Sequence, residues 1–248
     1  MRVIDASYAQ ISEATFRQMI DDGVEGFMQC AVAAPPGRLE VPPHAYDNLA
    51  HAHAAGLPFT CYAAIRPGTA GSVAIDMAKV ALGDLWSECR FVAVDVEIEG
   101  ITVEQIWDAI ARVRELAQRV KIYTSYHVWV DFLNNPAIFA DIHLINAYWD
   151  LDPDYDFASL PYGGWTMETL AGEQYTGGTD YFGAQVDFSE FNPEEWEPVE
   201  SMGPPSVEDL WTRLADVEIW MDVVAPKIDS IGLVPDHTHG KTGKPVRR

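Results

Sequence analysis

The chain has 248 residues, 48% of them hydrophobic, and carries a formal net charge of −22 at pH 7. This length allows one large domain with an appendage, and the apolar fraction is that of a globular protein. So acidic a chain is repelled by nucleic acid and by anionic lipid, and no apolar run reaches the roughly 18 to 20 residues of a membrane span. We therefore expect neither nucleic acid nor membrane as a partner.

The acidic residues are concentrated late in the chain, with thirteen Asp or Glu and no Lys or Arg between Asp150 and Glu200. Such a stretch is either a solvated surface or a field that raises the pKa of nearby carboxyl groups. The three cysteines, Cys30, Cys61 and Cys89, lie within or just before apolar segments and are interpreted as small buried side chains of a reduced protein. No Cys/His spacing in the first 200 residues indicates zinc, and we expect no cofactor.

Predicted strands and helices alternate through the first half of the chain. Apolar runs, helical spacing and Gly or Pro stops predict strands at 3–5, 26–32, 58–65, 90–97 and 120–124, and helices at 12–20, 44–55, 72–86 and 102–119. Three more strands are expected at 143–147, 169–175 and 184–188, without good helices between them. Alternation of this kind implies parallel β/α units, and about eight strands indicate a closed barrel. The predicted fold class is therefore α/β: an irregular, TIM-like β/α barrel over residues 1–192, in whose second half loops or antiparallel strands replace helices.

The most informative stretch is an apolar run that ends in Asp95-Val96-Glu97. Residues i and i+2 of a strand face the same side, so Asp95 and Glu97 are expected to project together, about 7 Å apart at the backbone. Repulsion and loss of water raise the pKa of at least one such acid, which provides a proton donor and an anion in one place. An isolated Asp-x-Glu more often simply ends a strand, so the other strand ends decide between these interpretations.

Two further strands also end in acids, Asp5 after the first and Asp187 after the last. In a β/α barrel the C-terminal ends of the strands share one face, where active sites lie. Four carboxylates from three separated strands are therefore expected to converge on one cleft. Such convergence is electrostatically costly and points to a functional site.

Six short motifs occur in a fixed order along residues 1–192. They are Asp5-Ala6-Ser7-Tyr8, Ala93-Val94-Asp95-Val96-Glu97, Ile122-Tyr123-Thr124-Ser125, Ala147-Tyr148, Gln174-Tyr175-Thr176 and Val186-Asp187-Phe188. Each motif is short, but the ordered set resembles family 25 glycoside hydrolases, the lysozymes (N-acetylmuramidases) of phage endolysins and bacterial autolysins. The resemblance implies an irregular β/α barrel whose acidic groove cleaves the β-1,4 bond after N-acetylmuramic acid in peptidoglycan.

By this resemblance, Glu97 is the general acid, Asp95 is its partner carboxylate, and Asp5 and Asp187 are the outer acids of the cleft. The side chains implied to bind substrate are Tyr62, Tyr123, Tyr148, Gln174 and Tyr175. Glycosidases that use two carboxyl groups follow a retaining or an inverting course according to the separation of those groups. The sequence leaves both courses open, together with assistance by the acetamido group of the substrate.

The chain departs from the family pattern at three places. Family members often carry a His after the tyrosine of strand three, a Trp in a later strand, and polar residues where strand two ends. This chain has Ala63, the run Leu144–Trp149 and the run Ala31–Ala34 there. We therefore expect altered substrate contacts on one side of the groove, with an altered, narrower or weaker activity.

The C-terminal region is predicted to be an appendage to the barrel. Four prolines mark 193–206 as a linker. Apolar residues then recur at spacings of three and four through 207–231, which predicts either a helix docked on the barrel or a coiled coil, for example a trimer joined through 207–228. In the polar tail, 232–248, His237 and His239 would share one face of a strand and form a metal site around a three-fold axis; a disordered tail is the alternative.

Two functions fit these observations. The first is a peptidoglycan hydrolase that acts on glycan strands, is encoded by a phage, and serves in host lysis or is carried on the virion. The second is a catalytically weak or inactive glycan-binding or virion subunit on the same barrel, oligomerised by its C-terminal helix. A barrel enzyme for small acidic metabolites fits poorly, because no phosphate-binding glycine loop follows a late strand. The chain reaches Asp5 without an apolar signal region, so we expect no cleavable signal peptide and action at the bacterial cell wall after another means of release.

Overall fold

The computed structural model describes residues 1–153, 155 and 161–198. Within them, eight strands close into a barrel in sequential order. The strands are β1 (Arg2–Ala6), β2 (Gly26–Val32), β3 (Phe59–Ala64), β4 (Val92–Asp95), β5 (Val120–Thr124), β6 (Leu144–Ala147), β7 (Leu170–Tyr181) and β8 (Ala184–Phe191). Strands β1 to β7 pair in parallel, whereas β8 runs antiparallel to both β7 and β1. The predicted irregular β/α barrel is confirmed.

A helix follows each of the first four strands. These are α1 (Glu13–Asp21), α2 (Ala45–Ala55), α3 (Gly71–Leu82) and α4 (Val103–Glu115). The predictions for α3 and α4 ran several residues too far. Helix α3 ends where Gly83 adopts a φ of 55° and a 3₁₀ segment begins, and α4 ends just before Ala117, whose φ is 57°. Among the described residues, no helix has both the length and the apolarity needed to cross a membrane.

Among its described residues, the second half of the barrel has few helices, as expected. Only a π-helical turn, Val128–Phe132, lies between β5 and β6. Strand β7 continues six residues beyond the predicted end and forms a hairpin with β8 through Phe182 and Gly183, both with positive φ. Register shifts in the β7–β8 ladder accommodate Gly177 and Gly178 within the strand.

Alternation along the strands produces two hydrophobic layers. Side chains such as Phe27 face outward and pack under the helices, where Phe27 contacts Phe16 of α1 with ring centroids 4.8 Å apart. Inward-facing side chains fill the barrel, and they include Val3, Met28, Phe91, Ala93, Tyr123, Ile145 and Phe191. Two layers form because successive residues of one strand face opposite sides of the barrel wall. The inward-facing layer fills the barrel directly below the polar groups at the mouth.

A 3₁₀ segment, Pro193–Trp196, closes the N-terminal end of the barrel. Trp196 is buried in the interior layer, with its ring centroid 5.4 Å from that of Phe91. Glu195 forms ion pairs with the buried Lys121 of β5 and with His143. The prediction of a linker from residue 193 was therefore wrong at its start, because these residues belong to the compact unit Met1–Pro198. The rest of that linker, the heptads of 207–231, and His237 and His239 lie outside the described residues.

Candidate active site

Four carboxyl groups from β1, β4 and β8 lie together at the mouth formed by the C-terminal ends of the parallel strands. Asp5 and Asp187 are directly opposite each other in the β1–β8 ladder. Asp95 is the last residue of β4, and Glu97 lies beyond the strand, which ends two residues earlier than predicted. Val96 between them is buried in the outer layer. Electrostatic interaction joins Glu97 to the other three acids, so the structure brings the predicted set together.

The two deeper acids lose nearly all contact with water. Asp5 is 3% exposed and Asp95 is 6% exposed. Burial raises the pKa of Asp5 well above its usual range, with further increases from Asp187 and Glu97. Burial, then repulsion by Glu97 and Asp5, likewise raises the pKa of Asp95. One carboxyl oxygen of Asp95, Oδ1, is buried without a hydrogen-bond partner in the described part of the chain.

The two outer acids differ from this buried pair. Glu97 reaches solvent at the mouth, yet loss of water and the charge of Asp187 raise its pKa to about 7. Burial also raises the pKa of Asp187, although the Gly178 N–H donates to its carboxylate and opposes that shift. The arrangement supplies a solvent-facing carboxyl that is protonated near neutral pH above a buried acidic pair. Those are the parts that acid-assisted cleavage of a glycosidic bond requires.

Gln174 connects the acids to two aromatic side chains. Its Oε1 accepts hydrogen bonds from the Tyr123 hydroxyl at 2.8 Å and from Trp149 Nε1 at 2.7 Å. These two donors fix the orientation of the amide, because only its oxygen can accept. The Gln174 NH₂ group therefore faces Asp5 and donates to Asp5 Oδ2 at 2.9 Å. The predicted residue Gln174 is thus part of the site as a positioning group for Asp5.

Trp149 is a site residue that the sequence reasoning missed. Its side chain is 65% exposed at the mouth, but its indole lies against Gly177, where an added Cβ would be 2.9 Å from the ring. The bond to Gln174 holds the ring in place, so it presents a fixed aromatic face to solvent. Its predicted neighbour Tyr148 is 37% exposed at the end of β6. The sequence did contain a signal for this residue, the aromatic pair Tyr148–Trp149 directly after a strand. At least one of two such residues lies outside the strand pairing and can therefore face the mouth.

Tyr62 and Tyr123 lie side by side below the mouth, and their binding of substrate stays a prediction. Their rings stack at 6.2 Å with an interplanar angle of 21°. The Tyr62 hydroxyl is 2.8 Å from Ser7 Oγ, which follows β1. The thiol of Cys30 lies against Tyr62 and Ser7, and burial followed by the charge of Asp95 raises its pKa. Cys30 is buried as predicted, but it is also part of the site, and so is Ser7.

Tyr175 does not join the site, and this implied substrate contact is corrected. Its ring stacks on Phe188, with centroids 6.3 Å apart, in the outer hydrophobic layer. Successive residues of a strand face opposite sides, so Gln174 and Tyr175 cannot both face the interior. The short motif that contains both therefore contributes one site residue.

The departures from the family pattern fall mainly on the outer layer. Ala63, Ala31 and Val32 pack there under the helices, whereas Met28 and Cys30 are the inward-facing residues of β2. The three outer-layer residues therefore change packing under the helices, whereas the departing run Leu144–Trp149 includes Trp149, which lies at the mouth and donates to Gln174. In the described part of the chain, no group of three or more His, Cys, Asp or Glu side chains is arranged to hold a metal ion.

The repulsion among the acids has a consequence for stability. The pKa of Asp5 is raised in the folded state, so its ionised form destabilises the fold, and this cost grows as pH rises through the folded pKa. Asn at position 5 retains an acceptor for Gln174 and removes the charge. We expect Asp5→Asn to raise Tm at pH 8 by about 2–4 °C, which corresponds to about 1 kcal/mol, with a smaller gain at pH 4. Thermal unfolding at both pH values tests this, with the exposed Asp141→Asn as the control; an equal gain at both would contradict it.

The described residues define a class of structure: a mixed β/α barrel with carboxyl groups gathered at one mouth. Comparison of the chain with models of protein families and with curated proteins found no match. Comparison with solved structures found several. A muramidase from Acremonium alcalophilum matches with a TM-score of 0.63 and 18% identity, over 77% of this chain and 93% of its own. A family GH25 lysozyme from Aspergillus fumigatus matches with a TM-score of 0.60 and 20% identity, over 77% and 94%.

The catalytic domain of an endolysin from a Listeria monocytogenes bacteriophage also matches, with a TM-score of 0.58 and 14% identity, over 79% of this chain and 96% of its own. At these identities the likeness establishes the fold. The chain has the fold of the family 25 lysozymes and muramidases, which the ordered motifs of its sequence resemble.

Proposed function

We propose that the chain is a peptidoglycan hydrolase that cleaves the β-1,4 bond between N-acetylmuramic acid and N-acetylglucosamine. The observation that carries this proposal is Glu97, a solvent-facing carboxyl at the barrel mouth whose pKa is raised to about 7. It can hold a proton near neutral pH and donate it to the leaving oxygen. The names of the similar solved structures, among them a muramidase and a lysozyme, support the same reaction.

The other groups have distinct roles in this proposal. Asp95 lies beside Glu97 with one carboxyl oxygen free of hydrogen bonds, and it stabilises or orients the cationic species that forms at the sugar. Gln174 keeps Asp5 in position, and Asp187 raises the pKa of Glu97. Trp149 and Tyr148 offer aromatic faces at the mouth on which a sugar ring can stack.

The test is mass spectrometry of the fragments released from purified cell walls. After borohydride reduction, a muramidase leaves reduced N-acetylmuramic acid at the new end, whereas cleavage of the other glycosidic bond leaves reduced N-acetylglucosamine. We expect the first product. The anomer formed initially, read by NMR, separates a retaining from an inverting course.

The second candidate is a glycan-binding or virion subunit that has lost turnover. The departures from the family pattern motivate it. Ala63 and Ala31 pack in the outer layer and do not face the acids. They are therefore weaker evidence for a loss of activity than their positions in the sequence indicate. Binding to walls without release of reduced ends would favour this candidate.

We also propose that the protein is encoded by a phage and acts at the bacterial wall or on the virion. The fold shared with a phage endolysin supports this origin. Mass spectrometry of purified virions, compared with the lysate they came from, separates a virion component from a lysis enzyme.

The pKa of Glu97 predicts the alkaline limb of the pH profile. Glu97 must be protonated to act as the acid, so kcat should fall as pH rises through about 7, approaching tenfold per unit above it. Initial rates of wall digestion from pH 4 to 9 measure this. A rate that stays constant up to pH 9 would contradict the role of Glu97.

A further inference from the structure

The loops around the barrel mouth differ sharply in charge. Among the described residues that follow β4, β5 and β6, at 96–102, 125–136 and 148–153, five are acidic, Glu97, Glu99, Asp131, Asp150 and Asp152, and none is Lys or Arg. The loops after β2 and β3, at residues 33–44 and 65–70, contain Arg38, Arg66 and one acidic residue, Glu40. A ligand that carries its own carboxylate is repelled by the first side and attracted by the second.

Arg38 is held in a defined position on this basic side. Its Nε donates to Glu40 Oε2 at 2.8 Å, and the Tyr8 hydroxyl donates to the other oxygen, Oε1, at 2.7 Å. Glu40 is itself fixed by backbone pairing with Ala33. The two donors engage both oxygens of Glu40, so Tyr8, Glu40 and Arg38 form one polar unit on the rim.

The guanidinium of Arg38 remains available to a ligand. Its side chain is 67% exposed, and Glu40 is its hydrogen-bond partner among the described residues. A guanidinium has five N–H groups in a planar fork, which matches a carboxylate. The remaining N–H groups therefore offer an oriented binding site for one anionic group.

The polar unit is continuous with the acidic cleft. Tyr8 follows Ser7, and the Ser7 hydroxyl bonds to Tyr62 below the mouth. Tyr62 stacks on Tyr123, which donates to Gln174 beside Asp5. Arg38 thus stands on the rim of the same opening as the acids, on the side of β2.

We propose that Arg38 binds a free carboxylate of the peptide that peptidoglycan carries on its muramic acid. This inference rests on the proposed function and adds a substrate class to it: glycan strands with anionic stem peptides. In intact peptidoglycan the lactyl group is in amide linkage to the peptide, so the free carboxylates belong to the peptide. Arg38 holds that peptide on the β2 side, and the acidic loops disfavour the reverse orientation of the strand.

The test is equilibrium binding, which does not require turnover. The full chain carrying Glu97→Gln is sedimented with purified walls freed of attached anionic polymers, either native or with their carboxylates converted to amides. We expect a further Arg38→Gln to weaken binding to native walls about three- to fivefold, the size expected for one exposed charge pair, and to leave binding to amidated walls unchanged. The difference should shrink at high salt. Arg38→Lys should restore part of the affinity.

Two controls make the result specific. Arg17 is also an exposed arginine paired with a glutamate, on α1, and Arg17→Gln should change neither binding. The double variant Arg38→Gln with Glu40→Gln removes both charges and should bind native walls as weakly as Arg38→Gln. If it recovers full affinity, the unpaired Glu40 caused the loss, and the proposal is overturned. An equal loss of affinity for native and amidated walls, or no loss for either, would also overturn it. If the binding results are as expected but the wild-type chain produces no new reducing ends from walls, the carboxylate site at Arg38 is supported and the proposed hydrolase function is contradicted.

Discussion

Glu97→Gln is expected to lower kcat for wall digestion by about 10²- to 10⁴-fold, the range for loss of a general acid. The amide is similar in size to the carboxylic acid, but its N–H groups are far too weakly acidic to protonate the leaving oxygen. The variant should fold at least as well as the wild type near neutral pH, because it removes a charge that repels Asp5, Asp95 and Asp187. Loss of activity without loss of stability separates a catalytic role from a structural one.

Glu99→Gln is the matched control for this experiment. Glu99 lies two residues further along the same loop and is exposed. It should keep wild-type kcat and the same pH profile. If Glu97→Gln digests walls at the wild-type rate and yields the same reduced ends, another group donates the proton and the assignment falls.

Asp5 and Asp95 could be predicted to meet because each lies at or next to the C-terminal end of a parallel strand, and these ends share one mouth. Asp187 was predicted to end the last strand, which is wrong: it lies within β8 and reaches the mouth because β8 runs antiparallel and pairs it with Asp5. Glu97 follows from its spacing to Asp95. The pattern does not, however, give the orientation of an amide or the loss of water at each acid, which depend on residues far apart in sequence.

The prediction for Tyr175 was wrong because a motif was carried over whole, although adjacent residues of a strand face opposite sides. Gln174 and Tyr175 are adjacent, and only Gln174 faces the acids. Trp149 was missed for the opposite reason, since it lies after the strand and reaches Gln174 only because Gly177 lets the ring approach. The contact between Trp149 and Gln174 depends on the β6–β7 register, which composition does not specify.

The ion pairs at the N-terminal end of the barrel, here called the floor of the barrel, were not predictable because their partners are separated by more than 50 residues. Glu195 lies in what the prolines indicated was a linker, yet it pairs with Lys121, 74 residues earlier. Proline marks the start of a 3₁₀ segment as readily as the start of a linker. The charge pair could be recognised only once the barrel was closed.

Glu195→Ala is expected to lower the free energy of unfolding by about 3–5 kcal/mol, the cost of leaving a buried charge without its partner. Lys121 is 3% exposed inside the barrel, with Nζ 4.8 Å from the centroid of Phe91. Burial lowers its pKa to about 8 despite the attraction of Glu195. Urea unfolding at pH 7 measures the loss. The adjacent, exposed Glu194→Ala is the control and should change little.

The double variant Lys121→Met with Glu195→Ala separates the ion pair from simple packing. Because neither charge of the buried Lys121–Glu195 pair then remains, most of the lost stability should return. Burial alone would raise the pKa of Glu195, but His143 and Lys121 outweigh burial and lower that pKa to about 2. The folded pKa is thus below the unfolded value, so the wild type should lose this stabilisation as pH falls from about 4 toward 2, and the double variant should not. If the double variant is as unstable as Glu195→Ala, packing of the 3₁₀ segment holds the floor and the charges do not.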